Sequence, residues 1–203
     1  MKILVASDIH GNLFALAQLK TEAQNVDLVL FCGDITSKYN DSEIQQKCAH
    51  ELYEIFDEIR VPCRFIQGNC DNFELNYKYY LSKEESINGI RIIPFEYVLP
   101  TPGGVTFRET SEEFIAQELE KIDGHNSIML AHQPPFGAGD AVNETLHVGS
   151  HAIKAWIEKN QPLYWLCGHI HEANGEYKIG STIVINAATD DENNQLNTHI
   201  IEI

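Results

Sequence analysis

The chain has 203 residues, of which 43% are hydrophobic and 22% are charged. This length is enough for one well-buried core and short for two, so we expect a single domain over residues 1–203. Lys and Arg number 14 against 30 Asp and Glu, and the resulting formal charge of −16 argues against long nucleic acids as partners, because they are bound through basic patches.

The first third of the chain alternates strands and helices. Continuous apolar runs predict buried strands, and apolar residues spaced three or four apart predict helices. The predicted order is β-α-β-α-β, with elements at Lys2–Ser7, Asn12–Gln24, Val26–Cys32, Asp41–Ile59 and Pro62–Ile66. This order indicates parallel strands joined by crossover helices.

The rest of the chain continues with helices, strands and longer loops. Helices are predicted at Ser111–Ile122 and Ser150–Lys159, and loops rich in Pro and Gly at Leu99–Gly104 and Pro134–Gly149. Near the end, Gly180-Ser181 predicts a two-residue hairpin turn, which indicates a second sheet or mixed edges on the first. The predicted strands of this part are Gly89–Phe95, Ser127–Ala131, Pro162–Cys167, Glu176–Ile179, Thr182–Asn186 and Leu196–Ile203.

The cysteines and the first residues bear on the compartment. Five cysteines without a CxxC pair argue against a disulfide framework and favour a reducing compartment, the cytoplasm. The apolar run after Lys2 is too short for a signal peptide or a membrane span, so we expect a first strand there and no membrane partner.

Five predicted strands each end in a short polar signature. In open α/β folds the carboxyl ends of the strands form the site, so these side chains are expected to be neighbours in space. The signatures are Asp8-Ile9-His10, Gly33-Asp34, Gly68-Asn69-Cys70-Asp71, Ala131-His132 and Gly168-His169-Ile170-His171.

The residue types in these signatures are those of metal ligands. Four His, two Asp and one Asn can hold two ions if one carboxylate bridges, and Asp34 is the natural bridging candidate. Such a set suits two divalent ions, with Mn²⁺ expected first and Fe, Zn or Ni as alternatives. Each signature alone has an ordinary interpretation as a turn, a cap or a solvated loop. The expected ligands are Asp8, His10, Asp34, Asn69, His132, His169 and His171.

The ordered set of signatures resembles the calcineurin-like metallophosphoesterase superfamily. That resemblance implies an α/β fold of two stacked mixed β-sheets flanked by helices, a four-layer α/β/β/α sandwich. It also implies one metal held by Asp8, His10, Asp34 and His171, and another held by Asp34, Asn69, His132 and His169. The stretches His132-Gln-Pro-Pro-Phe-Gly and His147-Val-Gly-Ser look like a small phosphodiesterase-like branch common in prokaryotes.

The resemblance implies a phosphoesterase in which a hydroxide held between two ions attacks phosphorus. Many members carry His directly after the motif Asn, whereas this chain has Cys70, and the branch with Cys is associated with phosphodiester hydrolysis. A thiol is a poorer proton donor than imidazolium, so a better leaving group is expected. The catalytic candidates are Asn69, Cys70 and Asp71, and the substrate-binding candidates are Asn12, which could equally cap a helix, and His147.

Two other functions fit the same residues less well. A non-catalytic or weakly active binding scaffold on this fold would be consistent with the missing motif His, although all seven ligand positions keep liganding residue types. A two-metal acyl hydrolase would use similar ligands. The sequence leaves open the substrate beyond a small phosphoester, the metal, the general acid and the oligomeric state.

Overall fold

A computed structural model describes residues 1–36, 41–102, 106–189 and 196–203. Within these ranges the chain forms ten strands, four α-helices and two short 3₁₀ helices at Ala23–Asn25 and His171–Ala173. The strands and helices in chain order are β1 (Lys2–Ala6), α1 (Leu13–Glu22), β2 (Leu28–Phe31), α2 (Ser42–Glu58), β3 (Cys63–Phe65), β4 (Glu85–Ile87), β5 (Ile90–Phe95), α3 (Glu112–Leu119), β6 (Ser127–Ala131), α4 (His151–Asn160), β7 (Tyr164–Cys167), β8 (Gly175–Ile179), β9 (Thr182–Asn186) and β10 (His199–Glu202).

The strands form two mixed sheets. The four-stranded sheet has the order β10-β1-β2-β3, with β1, β2 and β3 parallel and β10 antiparallel at the edge. The six-stranded sheet has the order β4-β5-β6-β7-β9-β8, with the central four strands parallel and both edge strands antiparallel. Strands β8 and β10, which come late in the chain, therefore each form an antiparallel edge of one sheet.

Three apolar layers hold the sheets and helices together. Alternate side chains of each central strand point to opposite faces, and both faces are buried, which explains the continuous apolar runs. Leu4 and Phe31 pack against α1 and α2, whereas Ile3 and Leu30 meet Leu130 and other residues of the second sheet. A third layer lies between the six-stranded sheet and α3 and α4, with Trp156 and Trp165 in contact within it. The helices and the two sheets therefore stack in the order α/β/β/α, as predicted.

The helices begin where capping residues occur in the sequence. Asn12, Asp41, Ser111 and Ser150 are the N-caps of α1, α2, α3 and α4, and each side chain accepts a backbone N–H of the first turn. The predicted helices and strands are confirmed to within a few residues at their ends. No helix in the described part of the chain is long and apolar enough to cross a membrane.

The sequence prediction differs from the structure at one strand. It missed β4, a three-residue edge strand that pairs with β5 and is tied to the other sheet by the Arg64–Glu85 ion pair at 2.6 Å. The Leu99–Gly104 loop lies only in part within the described residues, and Gly103 and Gly104 fall outside them. The Pro134–Gly149 loop contains no helix or multi-residue strand, as expected.

Candidate metal centre

The loops after β1 and β2 run side by side at the carboxyl ends of their strands. The amide of Asp8 donates to the carbonyl of Gly33 at 3.0 Å, and the amide of His10 donates to the carbonyl of Asp34 at 3.1 Å. The second sheet joins this edge, because the amide of His169 donates to Asp8 Oδ2 at 2.9 Å. The ends of strands from both sheets therefore meet, as the strand-end pattern predicts.

A first group of side chains consists of Asp8, His10 and His171. Donor atoms of the three lie within 4.8 Å of one another. The Nε2 atoms of His10 and His171 are 3.3 Å apart, and they lie 3.8 and 3.7 Å from Asp8 Oδ1. The trio offers two imidazole nitrogens and one carboxylate oxygen to a common point.

A second group consists of Asp34, His132 and His169, and its donor atoms also lie within 4.8 Å of one another. Asn69 joins it, because its Oδ1 is 3.0 Å from His132 Nε2. Asp34 connects the two groups, since its Oδ2 is 3.4 Å from His132 Nε2 and 3.9 Å from His10 Nε2. The structure thus brings all seven expected ligands together, with Asp34 between the two groups.

Backbone carbonyls set the orientation of three of the imidazoles. The Nδ1 atoms of His10, His132 and His171 face the carbonyl oxygens of Thr36, Cys32 and Thr189 at 3.2, 2.8 and 2.7 Å. A carbonyl only accepts, so each Nδ1 carries the proton and each Nε2 turns toward the centre. This is the arrangement that orients metal-binding histidines in proteins.

One buried atom is left without a hydrogen bond at this point. Asp8 is fully buried, and among the described residues its Oδ1 has no hydrogen-bond partner, although Oδ2 accepts the His169 amide. An unsatisfied buried carboxylate oxygen is costly, and a cation beside it removes the cost. Together with the Nε2 atoms of His10 and His171, this oxygen forms a donor set that fits a divalent metal ion.

Strained backbone also marks the site. Asp8, His10, Asp34 and His169 adopt positive φ angles of 59°, 50°, 54° and 73°. Non-glycine residues rarely adopt this conformation, and it costs on the order of 1 kcal/mol or more at each residue. Four of the seven expected ligands thus carry strain, which points to a functional requirement for their placement.

Charges within the site shift the pKa values of its histidines in opposite directions. Burial alone would lower the pKa of His132, but the charge and hydrogen bond of Asp34 outweigh it and raise the pKa to about 9. Burial and the nearby charge of His132 lower the pKa of His169 to about 4. Burial would raise the pKa of Asp34, yet His132 and His10 lower it below its usual range. Without metal, Asp34 and His132 therefore form a buried ion pair.

Two glycines allow the loops to approach this closely. A Cβ atom on Gly68 would overlap the carboxylate and backbone of Asp34, and one on Gly168 would overlap Asp8 and Ser7. Glycine at both positions therefore permits the close approach of the loops. Neither has a positive φ, so lack of a side chain, not backbone freedom, is what matters.

The remaining catalytic candidates, Cys70 and Asp71, lie in the same loop. Cys70 Sγ lies within 4.8 Å of donor atoms of His10 and Asp34, and burial followed by the charge of Asp34 raises the pKa of its thiol. Asp71 is fully buried and accepts hydrogen bonds from the amides of Thr36 and Gly68 at 2.9 Å each. Its carboxylate holds the loop together and faces no solvent.

The substrate-binding candidates have structural contacts of their own. Asn12 Oδ1 accepts the amides of Phe14 and Ala15 at 3.0 and 3.2 Å, so its side-chain oxygen caps α1. His147 Nδ1 lies 2.7 Å from Oδ1 of the buried Asp140, and its ring packs near Phe136. Contact of either residue with a substrate stays a prediction.

Arg108 is a site residue that sequence reasoning missed. Its guanidinium donates to the carbonyls of Gly68 and Asp71 at 2.9 and 2.7 Å and to the side chain of Gln67. It therefore holds both ends of the loop that carries Asn69. These contacts go mainly to backbone atoms, so only the presence of a cation in a very acidic chain could have drawn attention to it.

Comparisons with known proteins agree with this geometry. Residues 1–173 match the calcineurin-like phosphoesterase family. The chain belongs to this family. It is 34% identical over 202 residues to an uncharacterized protein of Methanocaldococcus jannaschii, covering 92% of this chain and 87% of that one. It is 28% identical over 222 residues to a UPF0046 protein of Caenorhabditis elegans, covering 99% and 74%.

Solved structures place this calcineurin-like phosphoesterase in the same fold. The protein TT1561 of Thermus thermophilus matches with a TM-score of 0.64 and 17% identity, covering 98% of this chain and 97% of that one. A purple acid phosphatase from yellow lupin seeds matches with a TM-score of 0.58 and 15% identity, covering 92% and 43%. The metallophosphoesterase fold implied by the motifs is confirmed, and the chain belongs to a family of phosphoesterases that bind divalent metals.

Proposed function

We propose that this phosphoesterase holds two divalent ions, one at Asp8, His10, Asp34 and His171 and one at Asp34, Asn69, His132 and His169, and that it hydrolyses small phosphodiesters. The observation that carries the proposal is the unpartnered Asp8 Oδ1 beside inward-facing imidazole nitrogens. Ions bound there would polarise a phosphoryl oxygen and lower the pKa of a water molecule, as hydrolysis requires.

The chain's own residues orient the phosphoester. Asn69 is almost fully buried, and within the described part of the chain its Nδ2 makes one long contact, 4.0 Å from Cys70 Sγ. That amide can therefore donate a hydrogen bond to a phosphoryl oxygen while Oδ1 faces the second metal group. Arg108 fixes the loop, so the amide is positioned before the substrate arrives.

Two features support a preference for diesters. Cys70 stands where a proton-donating imidazole is found in many relatives, and a thiol with a raised pKa protonates a leaving oxygen poorly. A diester also carries one negative charge, whereas a monoester carries up to two at neutral pH, and a chain of charge −16 repels the monoester more strongly. The same charge disfavours long nucleic acids, and five free cysteines suit a reducing compartment such as the cytoplasm.

A metal-dependence assay tests the reaction. Protein stripped with a chelator is expected to be inactive on bis(p-nitrophenyl) phosphate and to regain activity with Mn²⁺ or another of Fe²⁺, Zn²⁺ and Ni²⁺. Asp34→Asn should lower kcat/KM by more than about 100-fold, beyond the usual effect of an outer-shell residue. Glu22→Gln, which neutralises an exposed carboxylate at the end of α1, is the matched control and should keep activity.

A comparison of diester and monoester substrates tests the proposed preference for diesters. Diester turnover should exceed p-nitrophenyl phosphate turnover, and Cys70→His should shift the ratio toward the monoester. An unchanged ratio of diester to monoester turnover would show that Cys70 does not determine the preference. Metal binding without turnover of any ester would favour a scaffold instead, and turnover of carboxylic esters alone would favour an acyl hydrolase.

A further inference from the structure

Cys70 occupies a position in the metal centre that the two expected ligand sets do not use. Its Sγ, an imidazole nitrogen of His10 and a carboxylate oxygen of Asp34 lie within 4.8 Å of one another. His10 and Asp34 are both assigned to the first ion, so the sulfur lies beside that ion. The cluster overlaps both other ligand groups and adds the one sulfur donor.

The spacing is compatible with direct coordination. Metal–nitrogen or metal–oxygen bonds of about 2.1 Å and metal–sulfur bonds of about 2.3 Å place two donors on one ion no more than about 4.4 Å apart. Separations of at most 4.8 Å therefore need only small rotations of the side chains. A rotation about the Cα–Cβ bond of Cys70 can shorten the distances from its sulfur to the other two donor atoms by this small difference.

The backbone of Cys70 is fixed, so its Cβ atom stays beside this group of donor atoms and only rotation about the Cα–Cβ bond moves the sulfur. Its amide donates to Asp34 Oδ1 at 2.8 Å, and its carbonyl accepts Gln45 Nε2 at 2.8 Å and Thr36 Oγ1 at 3.3 Å. The Arg108 guanidinium also donates to the carbonyls of Gly68 and Asp71, which flank Asn69 and Cys70. A ligand held in place before binding loses little entropy when the ion arrives.

We infer that Cys70 Sγ is an additional ligand of the ion held by His10 and Asp34, which makes the centre selective for thiophilic divalent ions such as Zn²⁺, Co²⁺ and Fe²⁺ over Mn²⁺. The inference rests on the metal site of the proposed function. A divalent ion bound there would be coordinated by the thiolate form of Cys70, and the S–H proton would leave to solvent.

Titration of the metal-free full-length protein with Co²⁺ tests the inference. Visible d–d bands report any Co²⁺ site, whereas a near-ultraviolet charge-transfer band reports a thiolate ligand. We expect both in the natural protein, with the charge-transfer band lost in Cys70→Ser and the d–d bands kept. Cys48→Ala, which changes a buried cysteine of α2, is the matched control and should keep both bands.

Affinity and chemical protection give two further readouts. Cys70→Ser should weaken Zn²⁺ binding by at least about tenfold and change Mn²⁺ binding far less. In the unmutated protein, Zn²⁺ should protect Cys70 from iodoacetamide, as measured by mass spectrometry, and the other four cysteines are buried. This measurement needs no variant, so it stands even where Cys70→Ser folds poorly.

The outcomes separate the two claims. Cobalt d–d bands without a charge-transfer band, or equal alkylation of Cys70 with and without Zn²⁺, would overturn the sulfur ligand and leave the proposed metal site intact. Absence of any Co²⁺ binding would overturn both, because the inference depends on that site.

Discussion

The Nε2 atoms of His10 and His171 face each other at 3.3 Å, although 161 positions separate the residues in the chain. Their Nδ1 atoms are held by the carbonyls of Thr36 and Thr189, so both lone pairs point into the same space. Two facing lone pairs repel unless a proton or a cation lies between them. The fold therefore holds two imidazole nitrogens at a spacing that a proton or a metal ion between them would stabilise.

The first prediction concerns stability with and without metal. Asp8→Asn replaces a buried carboxylate whose Oδ1 has no hydrogen-bond partner in the described ranges, so the metal-free variant should melt about 2–4 °C higher than the natural protein, as expected for about 1 kcal/mol. The natural protein should gain about 2.7 kcal/mol, or about 5–10 °C, at metal concentrations 100 times the Kd. The variant should lose that gain. Differential scanning calorimetry with and without Zn²⁺ or Mn²⁺ measures both shifts.

The test is specific because Asp8→Asn should raise Tm without metal and abolish the rise of Tm that metal causes. A purely structural role for Asp8 would lower Tm in both conditions. A metal-induced shift that survives Asp8→Asn would argue against the first ligand group.

The second prediction is a rise of metal affinity with pH. In the metal-free protein the pKa of His132 is raised to about 9, chiefly because the charge of Asp34 outweighs the effect of burial. An ion that binds Nε2 must displace this proton. The apparent affinity should thus increase with pH, by up to about tenfold per unit for one displaced proton, and level off above about pH 9.

Competition with a fluorescent chelator at several pH values measures this dependence. Cys70→Ser is a useful background, because any proton released by that thiol is then absent and the slope reports the histidine. An affinity that stays constant from pH 6.5 to 9 would contradict the proposed role of His132.

The fold was predictable from the sequence where burial alone decides the structure. Strands β1 and β6 are buried on both faces, so their apolar runs stand out, and Asn12 and Ser111 cap helices as their residue types suggest. Strand β4 was missed because it has three residues and depends on its partner strand. Leu13, an apolar residue within the predicted helix, is 58% exposed, since the buried face of α1 starts at Ala15.

The expected metal-ligating side chains were predictable from the sequence, but the contacts that orient them were not. Asp8, Asp34 and His132 have residue types that indicate metal chemistry, and their place after strands indicates convergence. The carbonyl of Cys32 that orients His132, and the hold of Arg108 on the Gly68–Asp71 loop, act through the main chain. Main-chain contacts leave no signature in residue types, so only the structure reveals them.

The third prediction follows from Arg108. Arg108→Ala frees the carbonyls of Gly68 and Asp71 and should lower the free energy of unfolding by about 1–3 kcal/mol. Because those carbonyls bracket Asn69, metal affinity should also fall by about tenfold, as for other outer-shell changes. Arg91→Ala is the matched control, since Arg91 likewise donates to two carbonyls, Asp123 and His125, but sits near the start of β5. Isothermal titration of both variants with metal should show the loss only for Arg108→Ala.

The last prediction concerns space at Gly168. Gly168→Ala puts a Cβ atom against the Asp8 carboxylate and the Ser7 side chain, so His169 must move away from Asp8 Oδ2, to which its amide donates. Both metal groups depend on this contact, and metal binding should be lost together with several kcal/mol of stability. Gly89→Ala is the control, because φ there is +85° but nothing lies within 4 Å of the new Cβ. Its cost should be about 1 kcal/mol with metal affinity unchanged, since only backbone strain is added. Equal effects of the two variants on metal binding would show that close packing at Gly168 is not what assembles the centre.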